Sequence, residues 1–270
     1  MAVEHYENFP VASVLLPRKL RHPVELIYAF ARQADDFADE GDWPAEVRLE
    51  RLSGFSRELD RIERGDTPTV ALFANLAPVI ATYRLPLSLF RDLLSAFSQD
   101  VTKTRYADFG EVMDYCRRSA NPVGRLLLHL YDAAEARNLA WSDGICSSLQ
   151  LINFLQDVEI DYRKQRIYLP QDEMAKYGVS ERHIAECDGG GAWRALMLFQ
   201  IDRARRMLQA GAPLGKALPG RIGLELRMIV MGGNRILEKL HASGGDVFHR
   251  RPVLKPVDWV YMFYRALVVY

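Results

Sequence analysis

The stretch SLQLINFLQDVEIDYRKQRIYLP at positions 148–170 combines an apolar helix pattern with a regular polar stripe. The stripe consists of Gln150, Asn153, Asp157 and Asp161. Their spacing of three and four residues places them on one side of an α-helix. The other faces carry Leu149, Leu151, Ile152, Phe154, Leu155, Val158 and Ile160. A helix that is apolar on most of its surface is normally buried, so the stripe should face something polar inside the protein.

A second acidic helix is predicted earlier in the chain, in the stretch IYAFARQADDFADE at positions 27–40. Asp35 and Asp39 are four residues apart and share a helix face with Arg32. Burying several carboxylates is costly unless cations or donors compensate their charge. Aspartate oxygens without histidine or thiolate partners suit Mg²⁺, which takes one or two carboxylates together with water and phosphate oxygens. The two motifs together therefore predict a magnesium site that binds a diphosphate.

Two other interpretations of these carboxylates are a solvated acidic face and a di-iron centre. A single D-x-x-x-D motif is better explained as a solvated face paired with surface arginine and lysine, and only the presence of two motifs on apolar helices favours metal. Carboxylates on bundle helices can also hold a di-iron centre, which needs two E-x-x-H pairs. Only Glu238 and His241 have that spacing, so the di-iron interpretation is disfavoured.

The remaining helical patterns predict an all-α, single-domain protein that covers residues 1–270. Nine or ten helices are expected, and the predicted bounds of nine of them are 24–40, 45–64, 87–102, 110–119, 123–137, 142–162, 192–210, 224–240 and 256–270. Prolines near predicted helix starts, at Pro23, Pro44, Pro86 and Pro122, and glycines after predicted ends, at Gly41, Gly65 and Gly178, support these bounds. No stretch reads as a domain boundary.

Composition narrows the function classes. Lysine plus arginine equals aspartate plus glutamate at 35 each, so no excess positive charge is present to bind a nucleic-acid backbone. Three widely separated cysteines and the absence of a signal-peptide pattern at the N-terminus predict a reducing, cytoplasmic location. The tail at 259–270 is rich in Trp, Tyr and Phe, which predicts either a packed terminal helix or a peripheral contact with a membrane surface.

The motifs resemble those of squalene and phytoene synthases. DDFAD at 35–39 and NFLQDVEID at 153–161 are similar to the two aspartate-rich motifs of that family. Other matching segments follow in the family's order: HYENFPVASVLLPRKLRHPVELIYAFAR at 5–32, YCRRSANPVGRLLL at 115–128, RIYLP at 166–170 and DVFHRRPVL at 246–254. The resemblance implies an all-α isoprenoid synthase fold, with helices around a central cavity and the two acidic helices facing each other at its mouth.

The same resemblance implies roles for individual residues. The expected ligands of Mg²⁺, or of Mn²⁺ in its place, are Asp35, Asp36, Asp39, Asp157 and Asp161. The expected substrate-binding residues are His5, Arg32, Asn153, Arg166 and Tyr168, and the expected catalytic residues are Tyr115, Asp35 and Asp157. Tyr115 would lie near the reacting carbocation, which its ring face could stabilise. Arg250 and Arg251 are further diphosphate candidates, although a solvated basic turn fits them equally.

Departures from the common family pattern point to one branch. They are Tyr6, Glu7 and Asn8 after the opening histidine, Glu159 and Ile160 within the second motif, and Gly233 at a position where relatives carry a tyrosine facing the cavity. The segments HYENFPVAS, SANPVG and GGNRIL resemble the bacterial hopanoid-associated branch, HpnC. That branch implies conversion of presqualene diphosphate to hydroxysqualene by water capture, without NADPH.

Two alternatives stay open at this point. One is a head-to-head synthase that makes squalene, dehydrosqualene or phytoene from farnesyl or geranylgeranyl diphosphate. The other is a non-catalytic helical partner of other isoprenoid enzymes, which the five intact aspartates disfavour. Association with other enzymes of a squalene pathway is expected in either enzymatic case.

Overall fold

The computed structural model describes residues 16–39 and 43–268. Within these ranges the chain forms fourteen α-helices, and its one β-type contact is a parallel bridge between Arg105 and Ile167. The helices are α1 (Arg18–Asp39), α2 (Ala45–Arg64), α3 (Ala71–Tyr83), α4 (Leu87–Asp100), α5 (Phe109–Ser119), α6 (Asn121–Leu130), α7 (Ala136–Gln156), α8 (Val158–Arg163), α9 (Gln171–Lys176), α10 (Glu181–Ala185), α11 (Gly191–Gly211), α12 (Leu214–Ala217), α13 (Gly220–Ala242) and α14 (Pro256–Val268). The all-α prediction is confirmed.

Four helices were not predicted from the sequence. Helices α9, α10 and α12 have six residues or fewer, too few to display a helical period. Helix α3 is almost uniformly apolar and contains Pro78, which removes one backbone donor and masks the helical signal. Gly65 does end α2 as predicted, in a left-handed conformation with φ of 78° that suits glycine.

The predicted single helix over 142–162 is wrong in its bounds and its continuity. Helix α7 begins earlier, at Ala136, and ends at Gln156, and Asp157 separates it from α8 with φ of −108° and ψ of 14°. The N–H of Asp161 still donates to the carbonyl oxygen of Asp157 at 2.8 Å. This bond opens α8, and the N–H of Asp157 donates to the carbonyl oxygen of Asn153 at 3.0 Å at the end of α7, so the two helices meet at Asp157. Ile160, expected to be buried, is 43% exposed.

The buried side chains form two hydrophobic clusters. The first joins α1, α2, α3, α4 and α6, and Phe30 lies within it in contact with the rings of Phe55, Phe73 and Phe90. The second joins α5 with α7 and most later helices, and includes the fully buried Trp193. The first acidic motif lies on α1 and the second on α7 and α8, so each motif belongs to a different cluster.

The C-terminal helix α14 packs against the protein through one face. Asp258, Met262 and Ala266 are buried and lie four residues apart, and Asp258 accepts hydrogen bonds from Arg235 and Lys239 of α13. The expectation of a packed terminal helix is confirmed for this face. In the part of the chain that the structure describes, no helix has the length and apolar character needed to span a membrane.

Candidate active site

The first acidic motif occupies the last two turns of α1. Arg32 lies one turn before it, with Nη2 3.0 Å from Asp36 Oδ1 and Nη1 3.9 Å from Asp35 Oδ2. The end of the helix is fixed from outside, because Arg48 Nη1 donates to the carbonyl oxygen of Ala38 at 2.9 Å. A cation at a helix C-terminus is favourable. The contacts of Arg32 with Asp35 and Asp36 confirm the prediction that Arg32 lies on the same side of α1 as the motif.

Arg166 connects the first motif to the second. Its Nη1 donates to Asp39 Oδ1 at 2.6 Å, and its backbone N–H donates to the carbonyl oxygen of Asp161 at 2.8 Å. Its Nη2 donates to the carbonyl oxygen of Asp100 at 2.9 Å. Lys164 Nζ adds a contact with Asp39 Oδ2 at 3.2 Å. The two acidic motifs are thus brought together through basic residues that directly follow α8.

Asp100 is a site residue that the sequence analysis missed. It ends α4, is 6% exposed, and accepts a hydrogen bond from the Tyr115 hydroxyl at 2.6 Å and a longer one from the Tyr168 hydroxyl at 3.4 Å. A signal was present in the sequence, since Asp100 falls three residues after Phe97 on the buried face of α4. A carboxylate on an otherwise apolar helix face requires donors, and here two tyrosines supply them.

Four aromatic rings form a cluster beside the Asp100 carboxyl, which Tyr115 and Tyr168 contact through their hydroxyls. The ring of Tyr168 stacks on Phe154 with centroids 3.8 Å apart, and the rings of Tyr106 and Tyr115 lie 5.4 and 5.7 Å from that of Tyr168. Tyr115 itself is 5% exposed. Tyr115 and Tyr168, predicted separately as a catalytic and a substrate-binding residue, therefore lie in one cluster, whose ring faces could stabilise a cation.

The carboxyl groups of the site differ in pKa because their surroundings differ. Burial, together with the charge of Asp39, raises the pKa of Asp35 to about 6, and burial with the charge of Asp157 raises that of Asp161 to about 7. Burial raises the pKa of Asp100 to about 7. Burial would also raise the pKa of Asp39, but the neighbouring Arg166 and Lys164 hold it below its ordinary value.

These carboxyls fit a divalent cation bound together with a ligand. Asp35 and Asp161 are destabilised as anions by burial and like charge, which a cation would relieve. The buried Oδ1 of Asp36 accepts no hydrogen bond within the described residues, even though Arg32 Nη2 is near. Among residues 16–39 and 43–268 no three metal-type ligands cluster closely enough to enclose an ion. A cation at this site would therefore need further oxygen ligands, and Mg²⁺ commonly takes these from water and phosphate.

The other predicted substrate residues have different surroundings. Arg251 contacts Asp157 Oδ1 through Nε at 2.8 Å, so it is part of the site, whereas Arg250 is exposed. Asn153 is exposed on α7. His5, like the departures at positions 6–8, lies outside the described residues.

Glu159, one of the departures within the second motif, forms an ion pair with Arg163, whose side chain is 74% exposed. Because Glu159 precedes Asp161 by two residues, the two carboxylates occupy different faces of α8. Glu159 is therefore paired with an exposed arginine beside the motif.

The interpretation of Gly233 as a position facing the cavity is wrong. A Cβ atom at Gly233 would lie 2.9 Å from Leu208, 3.1 Å from Leu149 and 3.3 Å from Ile152. A side chain at this position would crowd these side-chain ends, because α13 packs closely against α7 and α11. The disfavoured di-iron candidate Glu238 pairs with Arg235 instead.

Comparisons with known proteins agree on one family. The squalene/phytoene synthase family model matches residues 2–258. The hydroxysqualene synthase of Rhodopseudomonas palustris is 35% identical over 263 residues, which cover 97% of this chain and 88% of that protein. The phytoene synthase of Mycobacterium bovis is 30% identical over 247 residues, which cover 90% of this chain and 80% of that protein. The crystal structure of squalene synthase HpnC from Alicyclobacillus acidocaldarius matches with a TM-score of 0.82 and 34% identity, over 89% of this chain and 90% of that one.

Proposed function

Since the chain belongs to the squalene/phytoene synthase family and is an isoprenoid synthase, we propose that it converts presqualene diphosphate to hydroxysqualene and releases diphosphate. The family acts on isoprenoid diphosphates. The assignment of hydroxysqualene as the product is supported by the similarity to a hydroxysqualene synthase over nearly the whole chain. The place of the reaction in hopanoid synthesis, and any association with neighbouring enzymes of the pathway, are parts of the same proposal.

The observation that carries the proposal is the set of contacts made by Arg166. One guanidinium side chain contacts Asp39 of the first motif and the carbonyl of Asp100, while the backbone N–H of the same residue contacts Asp161 of the second. A charged donor held between two carboxylate motifs is suited to a diphosphate that approaches with divalent cations.

In the first step the C–O bond to the diphosphate breaks, and the bonding electron pair stays on the departing oxygen. Bound magnesium would supply charge stabilisation for that oxygen. The basic side chains of Arg32, Lys164, Arg166 and Arg251 are within reach of the same carboxylates. They would hold the diphosphate oxygens and keep the leaving group from returning.

In the second step the cyclopropylcarbinyl cation rearranges and is captured by water. The aromatic faces of Phe154, Tyr115 and Tyr168 would stabilise the cation and keep bulk water away. As the water oxygen bonds to carbon it must lose a proton. We infer that Tyr115 accepts this proton while passing its own to Asp100, whose pKa of about 7 allows it to act as a base at neutral pH.

A head-to-head condensation remains the second candidate, because the phytoene synthase of Mycobacterium bovis is 30% identical to this chain. The two reactions share ionisation of a diphosphate and differ in how the cation is quenched. Product identity therefore separates them.

The test is product analysis by mass spectrometry with purified protein, magnesium and no nicotinamide. Presqualene diphosphate should yield hydroxysqualene, and its hydroxyl oxygen should carry the label when the reaction runs in oxygen-18 water. A C30 or C40 polyene from farnesyl or geranylgeranyl diphosphate would support the alternative. A requirement for NADPH, with squalene as the product, would overturn water capture.

A further inference from the structure

The outward side of the C-terminal helix α14 is apolar and exposed. Val257, Val260 and Tyr264 follow a helical spacing of three and four residues and are 69%, 72% and 61% exposed, and Phe263 beside them is 50% exposed. The charged residues of this helix, Asp258 and Arg265, do not lie on its outer side. Asp258 is buried and Arg265 is half-buried. Apolar residues on both sides of a helix indicate that the outer side is covered in its working state.

A pocket of about 360 Å³ adjoins this face, between α11, α13 and α14. Its lining residues are Arg205, Gln209, Met231, Asn234, Arg235, Glu238, Tyr261 and Arg265. Tyr261 belongs to both features, since it lines the pocket and is 40% exposed beside Val260. None of the aspartates of the acidic site lines this pocket. The pocket is therefore a separate feature that opens next to the exposed apolar side of α14.

Among the described residues, one positive group of the pocket pairs with no carboxylate. Arg205 pairs with Asp202, and Arg235 pairs with both Asp258 and Glu238. Arg265 donates from Nη1 to the Tyr261 hydroxyl at 2.7 Å, and within the described residues it pairs with no carboxylate.

The Nε atom of Arg265 strengthens this observation. It is buried and has no hydrogen-bond partner among the residues that the structure describes. A buried donor without an acceptor is unfavourable, so the described residues satisfy the Arg265 guanidinium incompletely. The guanidinium groups of Arg235 and Arg265 lie 5.4 and 5.6 Å from the centroid of the Tyr261 ring, so the ring holds both near the pocket.

We propose that this surface binds an anionic phospholipid membrane, with the outer side of α14 in the interfacial region and a lipid phosphate in the arginine pocket. Valine, phenylalanine and tyrosine side chains suit the bilayer interface, and guanidinium groups form bidentate contacts with phosphate. A second copy of the chain is a less suitable partner for this surface. Two-fold pairing would place the arginine pockets of the two copies, which carry like charges, near each other. The proposal does not depend on which isoprenoid is the substrate.

The first test is cosedimentation of the full chain with vesicles. Binding to vesicles that contain phosphatidylglycerol should exceed binding to phosphatidylcholine vesicles. Inorganic phosphate, titrated without vesicles, is the probe for a pocket that takes a free anion. Saturation by phosphate with no binding to either kind of vesicle would overturn the membrane assignment, as would equal binding to both kinds.

Variants test the apolar outer side of α14 and the arginine pocket one at a time. The double change Val260→Ser with Phe263→Ser should abolish vesicle binding, and Arg265→Gln should weaken binding to phosphatidylglycerol vesicles about fivefold. The matched controls are Val70→Ser, an exposed valine at the start of α3, and Arg206→Gln, an exposed arginine next to Arg205 that does not line the pocket. Circular dichroism and activity in detergent should be unchanged in all four. Retained vesicle binding in the double variant, or an equal loss in the controls, would contradict the proposal.

Discussion

Arg166 Nη1 lies 2.6 Å from Asp39 Oδ1, although 127 positions separate the two residues in the chain. The Arg166 side chain is 12% exposed and that of Asp39 20%, so solvent screens the pair only partly. This ion pair joins the helix of the first acidic motif to the segment that follows the second. The relative placement of the two motifs therefore depends on it.

Replacing Arg166 by lysine should lower kcat/KM by about a hundredfold or more, because lysine keeps the charge but cannot contact Asp39 and the carbonyl of Asp100 at once. Steady-state assays with presqualene diphosphate would measure the change. The matched control is Arg163→Lys, since Arg163 is exposed and pairs only with Glu159 among the described residues. Similar losses in both variants would contradict the role assigned to Arg166.

Asp35→Asn and Asp157→Asn should each reduce turnover by orders of magnitude while leaving the fold intact. Each change removes one of the carboxylates proposed to hold a cation, and neither removes a large buried side chain. Activity assays with near-ultraviolet circular dichroism as the fold check would test this. Asp60→Asn, at a partly exposed aspartate that pairs with Arg91 on the surface, is the control and should be near wild type. The site assignment is wrong if either active-site variant turns over at the wild-type rate.

Magnesium should stabilise the protein more at about pH 8 than at about pH 5.5. In the folded protein the pKa of Asp35 is about 6 and that of Asp161 about 7, both raised from 3.8. As the pH rises through this range both groups become anionic, which destabilises the metal-free fold and favours metal binding. Thermal unfolding with and without magnesium, at constant ionic strength, would show the difference. A metal-induced shift in Tm that is independent of pH would refute the expectation, and the shift should shrink in Asp161→Asn.

Tyr115→Phe should lower kcat about a hundredfold and move the acidic limb of its pH profile upward. The hydrogen bond from Tyr115 lowers the pKa of Asp100 and partly offsets the effect of burial. Without that bond the pKa of Asp100 is higher, so Asp100 becomes a base only at higher pH. In Asp100→Asn the acidic limb of the kcat profile should vanish. Tyr177→Phe, at a tyrosine on the outer side of the fold beside Phe199, should leave the profile unchanged. An unshifted limb in Tyr115→Phe would exclude Asp100 as the base.

Gly233→Ala should destabilise the fold by about 1 to 3 kcal/mol, because the added Cβ would crowd Leu208, Leu149 and Ile152. Gly191→Ala is the matched control, since a Cβ there meets no atom within 4 Å. Urea unfolding of both variants would measure the difference in the free energy of unfolding. Equal stability of the two variants would show that the helices separate easily at Gly233.

Sequence alone was sufficient for the features that depend on local spacing. The placement of Arg32 beside Asp35 on one side of α1 follows from helical periodicity, and the order of the motifs pointed to the family. These features could be predicted because residues three or four apart on a helix always share a face.

The tertiary structure decided what periodicity cannot express. The approach of Arg166 to Asp39, the burial of Asp100 against Tyr115, and the close packing at Gly233 all join segments that are distant in the chain. Such contacts arise from how whole helices pack, and that packing depends on the combined shape of many side chains. The sequence therefore indicated most of the candidate site residues, whereas the packing of α1, α4, α5 and the segment after α8 added Asp100 and determined which of them meet.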